Sequence, residues 1–363
     1  MLSAPRFLQE KTMQTAQEKI YTFNTVVTGR CNTACSYCHF YATRDRKSVA
    51  YDISDKLFEI YMEFIKRWSE KVEGITSYRF SGGDPMVLGD RLFNLSNTAY
   101  QKTGIKPFML TAGKRLSRKW VTAAQEASIG HVFVSIENPI LPDPTAPDPN
   151  KVINAIKSFT SEKMPIVPGV CVVPRSAYKH LPEICDWFYY HIGLIPLICE
   201  VNYAPYESPS DRELEDLSRA IEVVLAKYFD KTPLNLFSSV VPEYAYGGID
   251  PYLCDLSLDN HHGLTLDKID EKIDEMLAHI ESVNYPRLAC NNKDCDWQEF
   301  CTNTKWYWQG DGRNEPEVKL RDYCRHKKAI SGAFYRTLID SSYIDGTGLI
   351  SPNHSTWTPR AIL

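Results

Sequence analysis

The stretch IYTFNTVVTGRCNTACSYC, residues 20–38, joins a predicted strand to a cluster of three cysteines. Its first eight residues are rich in β-branched and aromatic side chains, which predicts a strand. Cys31, Cys35 and Cys38 follow directly, with the spacing C-x3-C-x2-C. Three thiolates can ligate a four-iron cluster and leave one iron with an open coordination position for a substrate or cofactor. A structural zinc site with His39 as the fourth ligand is the alternative that remains open.

Strand-like and helix-like stretches alternate downstream of this loop. Ser54 is placed to cap a helix whose apolar residues, ending at Trp68, recur at i, i+3, i+4 and i+7. The alternation predicts βα units and a parallel sheet. Six units are too few for a closed eight-stranded barrel, so we expect an α/β fold, a partial (β/α)6 TIM-like barrel. Predicted strands are 20–27, 75–80, 106–111, 131–137, 166–173 and 197–203; predicted helices include 117–127, 150–162 and 179–191.

Polar and glycine-containing turns end several of these strands. Gly82-Gly83-Asp84-Pro85 follows the second strand, Thr111-Ala112-Gly113 ends the third, and Ser135 and Glu137 end the fourth. Loops at the carboxyl ends of parallel strands meet at one face of such folds, where their sites lie. Glycine allows a backbone to approach a ligand closely. The prolines at 142, 144, 147 and 149 predict an extended connection over 140–150.

The composition describes a globular protein. The 363 residues are 43% hydrophobic and 24% charged, which excludes disorder and a coiled-coil rod for the whole chain. The net charge of −4 comes from interleaved signs, so we expect no nucleic-acid or membrane partner. No stretch approaches the roughly 20 apolar residues that span a bilayer, and no signal peptide is recognisable, so we expect a cytoplasmic protein.

A second cysteine cluster lies in the last quarter of the chain. A charged amphipathic helix is predicted over 266–283, and Cys290, Cys295, Cys301 and Cys324 follow in a tryptophan-rich segment. Four thiolates can ligate either zinc or an iron–sulfur cluster, and the spacing alone does not decide between them. The single cysteines Cys171, Cys185 and Cys199 lie in apolar contexts and are interpreted as small buried hydrophobes.

The first cysteine motif and the turns after it, over residues 20–205, resemble the radical S-adenosylmethionine (radical SAM) enzymes. That family has this cysteine spacing in the loop after the first strand of a partial barrel, and a Gly-Gly-Glu-Pro type turn after the second. Asp84 stands where the family usually has Glu. The resemblance implies a [4Fe-4S] cluster, S-adenosylmethionine (AdoMet) and an external electron donor such as flavodoxin or ferredoxin. It places the cofactor contacts at Tyr37, Gly82, Gly83, Asp84, Pro85, Thr111, Ser135, Glu137 and Arg175.

Within that resemblance, individual residues take individual roles. Tyr37 would pack on the adenine, and the Gly82–Pro85 turn would contact the methionine amino group. Ser135 and Glu137 would lie at the ribose, and Arg175 would pair with the methionine carboxylate. No catalytic side chain is assigned.

The second cluster resembles the SPASM/twitch-like extension of radical SAM enzymes, which holds auxiliary clusters. The match is partial, because the first gap is four residues, position 305 is Lys and only Cys254 lies upstream. We therefore expect one auxiliary [4Fe-4S] cluster on Cys290, Cys295, Cys301 and Cys324, with Cys254 as a possible substitute ligand. The expected division is a leader (1–19), the barrel (20–250), the Fe–S-binding extension (251–345) and a tail (346–363).

By the same resemblance, the expected substrate is a ribosomally made (RiPP) precursor peptide that undergoes side-chain cross-linking through a thioether or carbon–carbon bond. Only 19 residues precede the first strand, so we expect leader recognition by another surface or a separate protein. Two alternatives remain. One is radical oxidation of an alcohol or thiol in a protein or small molecule, and the other is a non-enzymatic Fe–S or zinc scaffold.

Overall fold

The computed structural model describes residues 20–36, 38, 51–159, 166–193, 195–200, 208–228, 264–282, 325, 328–329, 332–333 and 336–337. Its strands form one six-stranded sheet in the order β1-β2-β3-β4-β5-β6, with every neighbouring pair parallel. This confirms the predicted α/β fold, and the sequential parallel order is that of a partial barrel. The strands are β1 (Ile20–Thr28), β2 (Ile75–Gly82), β3 (Phe108–Thr111), β4 (His131–Ile136), β5 (Ile166–Val173) and β6 (Leu197–Glu200).

Helices connect successive strands, as parallel pairing requires. Short 3-10 helices follow β2 (Pro85–Leu88) and β5 (Arg175–His180). Among the described residues, no helix is long and apolar enough to cross a bilayer. The α-helices of the described residues are α1 (Asp55–Lys71), α2 (Asp90–Thr103), α3 (Arg118–Glu126), α4 (Pro149–Phe159), α5 (Leu181–Ile192), α6 (Asp211–Tyr228) and α7 (Ile269–Ser282).

Helix α1 covers one face of the sheet with aromatic side chains. The Ser54 hydroxyl accepts a hydrogen bond from the Leu57 amide at 3.2 Å, which confirms the predicted N-cap. Trp68 is fully buried, and its ring meets those of Tyr21 and Phe23 edge-on at 5.3 and 5.2 Å. Successive residues of a strand point to opposite faces of the sheet. Since Tyr21 and Phe23 of β1 face α1, the residues next to them in the strand face the barrel interior.

The connection over 140–150 differs from the extended chain predicted from its prolines. The chain turns at Asp143, whose carbonyl accepts from the Ala146 amide at 3.0 Å, and Pro149 begins α4. Proline fits a first helical turn because its missing N–H would have no intrahelical partner there. The Asp148 carboxylate accepts from the Asn150 amide at 2.9 Å and caps the same end.

Helix α7 packs against α1 of the barrel. Ion pairs connect Arg67 to Asp270 at 2.9 Å and Lys71 to Asp274 at 2.5 Å, and Ile273 of α7 is fully buried. The predicted helix over 266–283 therefore exists, although its first residues, Leu266–Lys268, form a 3-10 turn.

The aromatic layer beneath α1 predicts a specific stability effect. Trp68→Ala removes a fully buried ring from contact with three others, so we expect the free energy of unfolding to fall by about 3–5 kcal/mol. Tyr190, at 84% exposure, is the control, and Tyr190→Ala should change the value by less than about 0.5 kcal/mol. Urea unfolding followed by circular dichroism measures both; similar losses for the two variants would contradict the core assigned to α1.

Candidate functional site

The cysteine loop begins where β1 departs from regular pairing with β2. The register passes from Val26 opposite Ser81 to Thr28 opposite Gly82, so β1 has one extra residue immediately before the loop. Bulges of this kind bend a strand and redirect the chain beyond it, and they are frequent beside active sites. This irregularity lets the chain leave the sheet edge at Gly29.

Two of the cysteine thiols lie beside one threonine hydroxyl. The Thr33 Oγ1 lies 3.0 Å from the Cys31 Sγ and 3.6 Å from the Cys35 Sγ. The Cys38 amide donates to the Cys35 carbonyl at 3.2 Å, which turns the chain back. All three cysteines are half-buried, whereas Cys171 and Cys185 are fully buried. Tyr37 and the side chain of Cys199 lie outside the described residues.

This donor set fits an iron–sulfur cluster. Cys31, Cys35 and Cys38 lie in one short loop, and thiolates are the ligands that such clusters take. A four-iron cluster takes its thiolates on separate irons, so its ligand sulfurs are spread more widely than those around one zinc. His39, the alternative zinc ligand, lies outside the described residues.

The buried cysteines have a different chemistry. Burial raises the pKa of the Cys185 thiol far above its usual value, and the nearby Asp186 carboxylate acts in the same direction. A thiol that resists deprotonation is a poor metal ligand, because the thiolate is the ligating form. The interpretation of Cys171 and Cys185 as buried hydrophobes is therefore confirmed.

Asp52 anchors the start of the cysteine loop. Arg30 donates to the two Asp52 carboxylate oxygens at 2.8 and 2.6 Å, and the Thr28 hydroxyl donates to one of them at 2.7 Å. Burial would raise the pKa of Asp52, but these hydrogen bonds outweigh it and hold the pKa below its usual value. The Gly29 amide also donates to the Tyr51 carbonyl at 2.7 Å.

The glycine turn after β2 clamps the same segment through its backbone. The Gly83 amide donates to the Thr28 carbonyl and the Asp84 amide to the Arg30 carbonyl, each at 2.9 Å. A Cβ on Gly82 would lie 1.9 Å from the Thr28 oxygen, and one on Gly83 would lie 2.1 Å from the Arg30 oxygen. The glycines are therefore required by the cysteine loop's own backbone, whereas the sequence pattern had indicated a close approach to a ligand.

The carboxylate of Asp84 is turned into the protein. It is 1% exposed and accepts from the Met86 amide at 3.0 Å and from the Thr111 hydroxyl at 3.0 and 3.1 Å. Burial raises the pKa of Asp84, although the hydrogen bonds from Met86, Thr111 and the Ala112 amide oppose the change. The Asp84 side chain thus joins the loop after β2 to the end of β3. Pro85 begins the 3-10 turn after this loop.

The loop after β3 also reaches the cysteines. Lys114 donates to the Asn32 carbonyl at 2.8 Å. Gly113, with φ of +74°, leaves no room for a side chain, because a Cβ there would lie 2.9 Å from methyl groups of Val134 and Val152. The predicted Thr111-Ala112-Gly113 turn is therefore packed closely against β4 and α4. Lys114 was not singled out from the sequence, since an exposed lysine has no local signature.

The loop after β4 completes this set of contacts. Ser135 is half-buried near the end of β4, and Glu137 is 4% exposed. Glu137 Oε1 accepts from the Asp143 amide at 3.3 Å, and the Asp143 carboxylate accepts from the Ser36 amide and hydroxyl at 2.6 and 2.7 Å. Burial works against ionisation of Asp143, but its hydrogen bonds lower its pKa to about 2. Asp143 was not among the site residues predicted from the sequence.

Arg175 interacts electrostatically with α6. It begins the 3-10 helix after β5, and its charge helps to lower the pKa of Glu213 on α6. Burial acts on Glu213 in the opposite direction, and the hydrogen bonds from Ser210 are the main cause of the lowering. The structure therefore places Arg175 near Glu213 of α6.

Polar side chains continue into the barrel below the cysteine loop. Arg79 of β2 donates to the Asn24 Oδ1 of β1 at 3.0 Å, and Ser81 bonds to the same oxygen. Asn24 lies on the face opposite the α1-covered rings, because it follows Phe23 in the strand. Polar, half-buried positions inside a barrel are suited to a ligand rather than to core packing.

The Gly83 contact predicts a large and local effect. Gly83→Ala forces a Cβ onto the Arg30 carbonyl, so we expect the free energy of unfolding to fall by at least about 2–3 kcal/mol and iron uptake by the cysteine loop to fall with it. Gly104→Ala is the matched control: its φ is +71°, but nothing lies within 4 Å, so only about 1–2 kcal/mol of backbone strain is expected. Urea unfolding and iron analysis after reconstitution measure the two effects. Equal losses in both variants would mean that the close approach does not constrain the loop.

Comparisons with known proteins agree with this arrangement. Residues 25–188 match the model of the Radical SAM superfamily. Among solved structures, anSMEcpe with bound AdoMet has a TM-score of 0.62 at 16% identity, over 88% of this chain and 98% of that one. SuiB of Streptococcus suis bound to S-adenosylmethionine has a TM-score of 0.53 at 16% identity, over 83% and 76%. A search of curated proteins finds no match.

At these identities the structural matches establish the fold, and the family match covers the residues that carry the cysteine loop and the turns after β2, β3 and β4. That family binds AdoMet at a [4Fe-4S] cluster. Residues 25–188 are therefore a radical SAM domain, and the described part of the chain has the fold of radical SAM enzymes.

Proposed function

We propose that the chain binds a [4Fe-4S] cluster through Cys31, Cys35 and Cys38, binds AdoMet beside it, and modifies a peptide. The observation that carries the proposal is the set of hydrogen bonds that joins the cysteine loop to the loops after β2, β3 and β4. When bound, the cluster and AdoMet supply one-electron cleavage of a carbon–sulfur bond, which yields a 5′-deoxyadenosyl radical that abstracts hydrogen from the substrate.

The protein's part is to hold and shield these groups. Thr33 lies between two of the ligand sulfurs, and the clamps on residues 28–32 fix where the loop leaves the sheet. Because Asp84 is buried and bonded to Met86 and Thr111, we propose that backbone carbonyls of the Gly82–Pro85 turn, and not this carboxylate, accept from the methionine amino group.

The remaining AdoMet contacts follow the strand ends. Ser135 and Glu137, beside the loop that touches Ser36, are proposed to lie at the ribose, and Thr111 supports the turn opposite. Tyr37 is proposed to pack on the adenine. Arg175 is proposed to pair with the methionine carboxylate.

The proposed substrate is a ribosomally made precursor peptide that becomes cross-linked through a thioether or carbon–carbon bond. Solved structures of the similar fold include anSMEcpe with AdoMet and a Kp18Cys peptide, at 16% identity and a TM-score of 0.62, so a barrel of this kind accommodates a peptide beside AdoMet. The polar interior around Asn24 and Arg79 provides donors and acceptors for such a chain.

An auxiliary [4Fe-4S] cluster on Cys290, Cys295, Cys301 and Cys324 is part of the proposal. These residues, and Cys254, lie outside the described part of the chain. The support is that α7, which precedes these cysteines in sequence, is joined to α1 by two ion pairs. An electron donor such as flavodoxin or ferredoxin is the proposed reductant.

The first test removes the ligands of the AdoMet cluster. With Cys31, Cys35 and Cys38 all changed to Ala, anaerobically reconstituted and reduced protein should form no 5′-deoxyadenosine above background, because no thiolate remains to hold the cluster. Cys185→Ala is the control and should retain formation within about twofold, because this thiol is buried and inert. Liquid chromatography with mass spectrometry measures the nucleoside. Undiminished formation by the triple variant would refute the cluster assignment.

The second test separates cofactor cleavage from peptide modification. Cys290→Ala and Cys301→Ala should retain 5′-deoxyadenosine formation but lose modified peptide, since the first cluster is untouched. The wild-type product should be lighter than the peptide by two hydrogens, and fragmentation should show two residues joined. The same mass loss without a joined pair would instead establish simple oxidation and overturn the cross-linking proposal.

A further inference from the structure

Asp143 forms a bridge between two loops that are far apart in sequence. Its Oδ2 accepts from the Ser36 amide at 2.6 Å and the Ser36 hydroxyl at 2.7 Å, across 107 residues. Its Oδ1 accepts from the Thr145 amide at 2.8 Å and the Thr145 hydroxyl at 2.6 Å. The Thr145 carbonyl in turn accepts from the Ala34 amide at 3.4 Å. We call these contacts of Asp143 and Thr145 the Asp143 bridge.

The bridge acts on a different part of the cysteine loop from the other clamps. The contacts from Asp52, Gly83, Asp84 and Lys114 fall on residues 28–32. The Asp143 bridge falls on residues 34–36, which surround Cys35 and lead to Cys38. A carboxylate supplied by the loop after β4 therefore bonds to the backbone on the C-terminal side of Cys35, and Thr145 of the same loop bonds on its N-terminal side.

The other end of the bridge is fixed to the barrel. The Asp143 amide donates to the Glu137 carboxylate at 3.3 Å, and Glu137 is buried directly after β4. The Asp143 carbonyl accepts from Ala146, which closes the turn. Hydrogen bonds to a charged acceptor are roughly twice as strong as those between neutral groups. The bridge therefore restrains the cysteine loop, because its other end is held to the barrel through Glu137.

We propose that Asp143 is a positioning residue for the iron–sulfur cluster. It holds the Cys35–Cys38 segment in the conformation that ligates iron, and through Glu137 it couples that segment to the loop proposed to bind the AdoMet ribose. The identity of the group that the loop holds rests on the proposed function, whereas the bridge itself is read from the contacts of Asp143.

An isosteric substitution breaks the bridge without removing its volume. Each oxygen of the carboxylate accepts one amide and one hydroxyl, so both oxygens are needed as acceptors. Asparagine has a single acceptor oxygen, and its NH2 group would face the N–H of Ser36 or of Thr145. Asp143→Asn therefore loses the hydrogen bonds that at least one of the two carboxylate oxygens accepts. Asp148→Asn is the matched control, because Asp148 lies in the same loop, is exposed, and caps α4 in a way that asparagine reproduces.

The first measurement is hydrogen–deuterium exchange on the full-length chain without iron. We expect peptides that cover residues 31–38 to exchange at least about tenfold faster in Asp143→Asn than in the wild type, because hydrogen bonds to a charged group are lost. Asp148→Asn should exchange at the wild-type rate. If Asp143→Asn exchanges no faster than Asp148→Asn, the bridge does not hold the loop and the proposal falls.

The second measurement uses the reconstituted protein. Asp143→Asn should lose iron to a ferrous chelator about tenfold faster than the wild type and should show an altered electron paramagnetic resonance line shape on reduction, with a melting temperature lowered by no more than about 5 °C. Asp143→Glu, which keeps both acceptor oxygens, should recover part of the retention. Wild-type iron retention and line shape in Asp143→Asn would overturn the positioning role.

The two proposals fail in different ways. If the wild-type chain takes up no iron, the proposed function is wrong, while the exchange comparison on the iron-free chain still decides whether Asp143 holds the loop. If the wild type binds iron and cleaves AdoMet but Asp143→Asn matches it in exchange and in iron retention, only the positioning role is wrong.

Discussion

The close approach of the Gly82–Gly83 turn to the cysteine loop is the constraint on which the rest of the site depends. The amides of Gly83 and Asp84 donate to the carbonyls of Thr28 and Arg30, and only glycine at positions 82 and 83 leaves space for the contact. The contact fixes where the thiols lie relative to β2. The buried Asp84 then extends the same restraint to β3, because its carboxylate bonds to Thr111. The cysteine loop is therefore held to the carboxyl ends of β2 and β3.

The parallel sheet makes this possible, because it brings the carboxyl ends of successive strands to one edge. Lys114 after β3 and Asp143 after β4 each bond to the cysteine loop, although one is 82 and the other 107 residues away from its partner. Each loop contributes one restraint from a rigid strand, which is how a fold of this type positions a site. Helix α1 supports the arrangement from behind through the buried rings around Trp68.

Much of this arrangement was predictable because it depends on local patterns. The β-branched runs located the strands to within a few residues, and Ser54 identified the start of α1. Long-range contacts were not predictable: Asp143 resembles an ordinary turn residue between prolines, and only the fold brings it to Ser36. The sequence identified Gly82 and Gly83 as positions of close approach, but it did not show that the cysteine loop's backbone is what they approach. Pro149 was interpreted as extended chain because proline fits both a connection and a first helical turn. The auxiliary cysteines and Tyr37 remain predictions.

The central claim is that three thiolates hold a [4Fe-4S] cluster with one iron open to AdoMet. Electron paramagnetic resonance of the anaerobically reconstituted and reduced protein, with Cys290 and Cys301 changed to Ala to remove the proposed second cluster, tests it most directly. The account predicts a [4Fe-4S] signal whose g values shift when AdoMet is added. A cluster signal that AdoMet leaves unchanged, or no iron–sulfur signal at all, would contradict it.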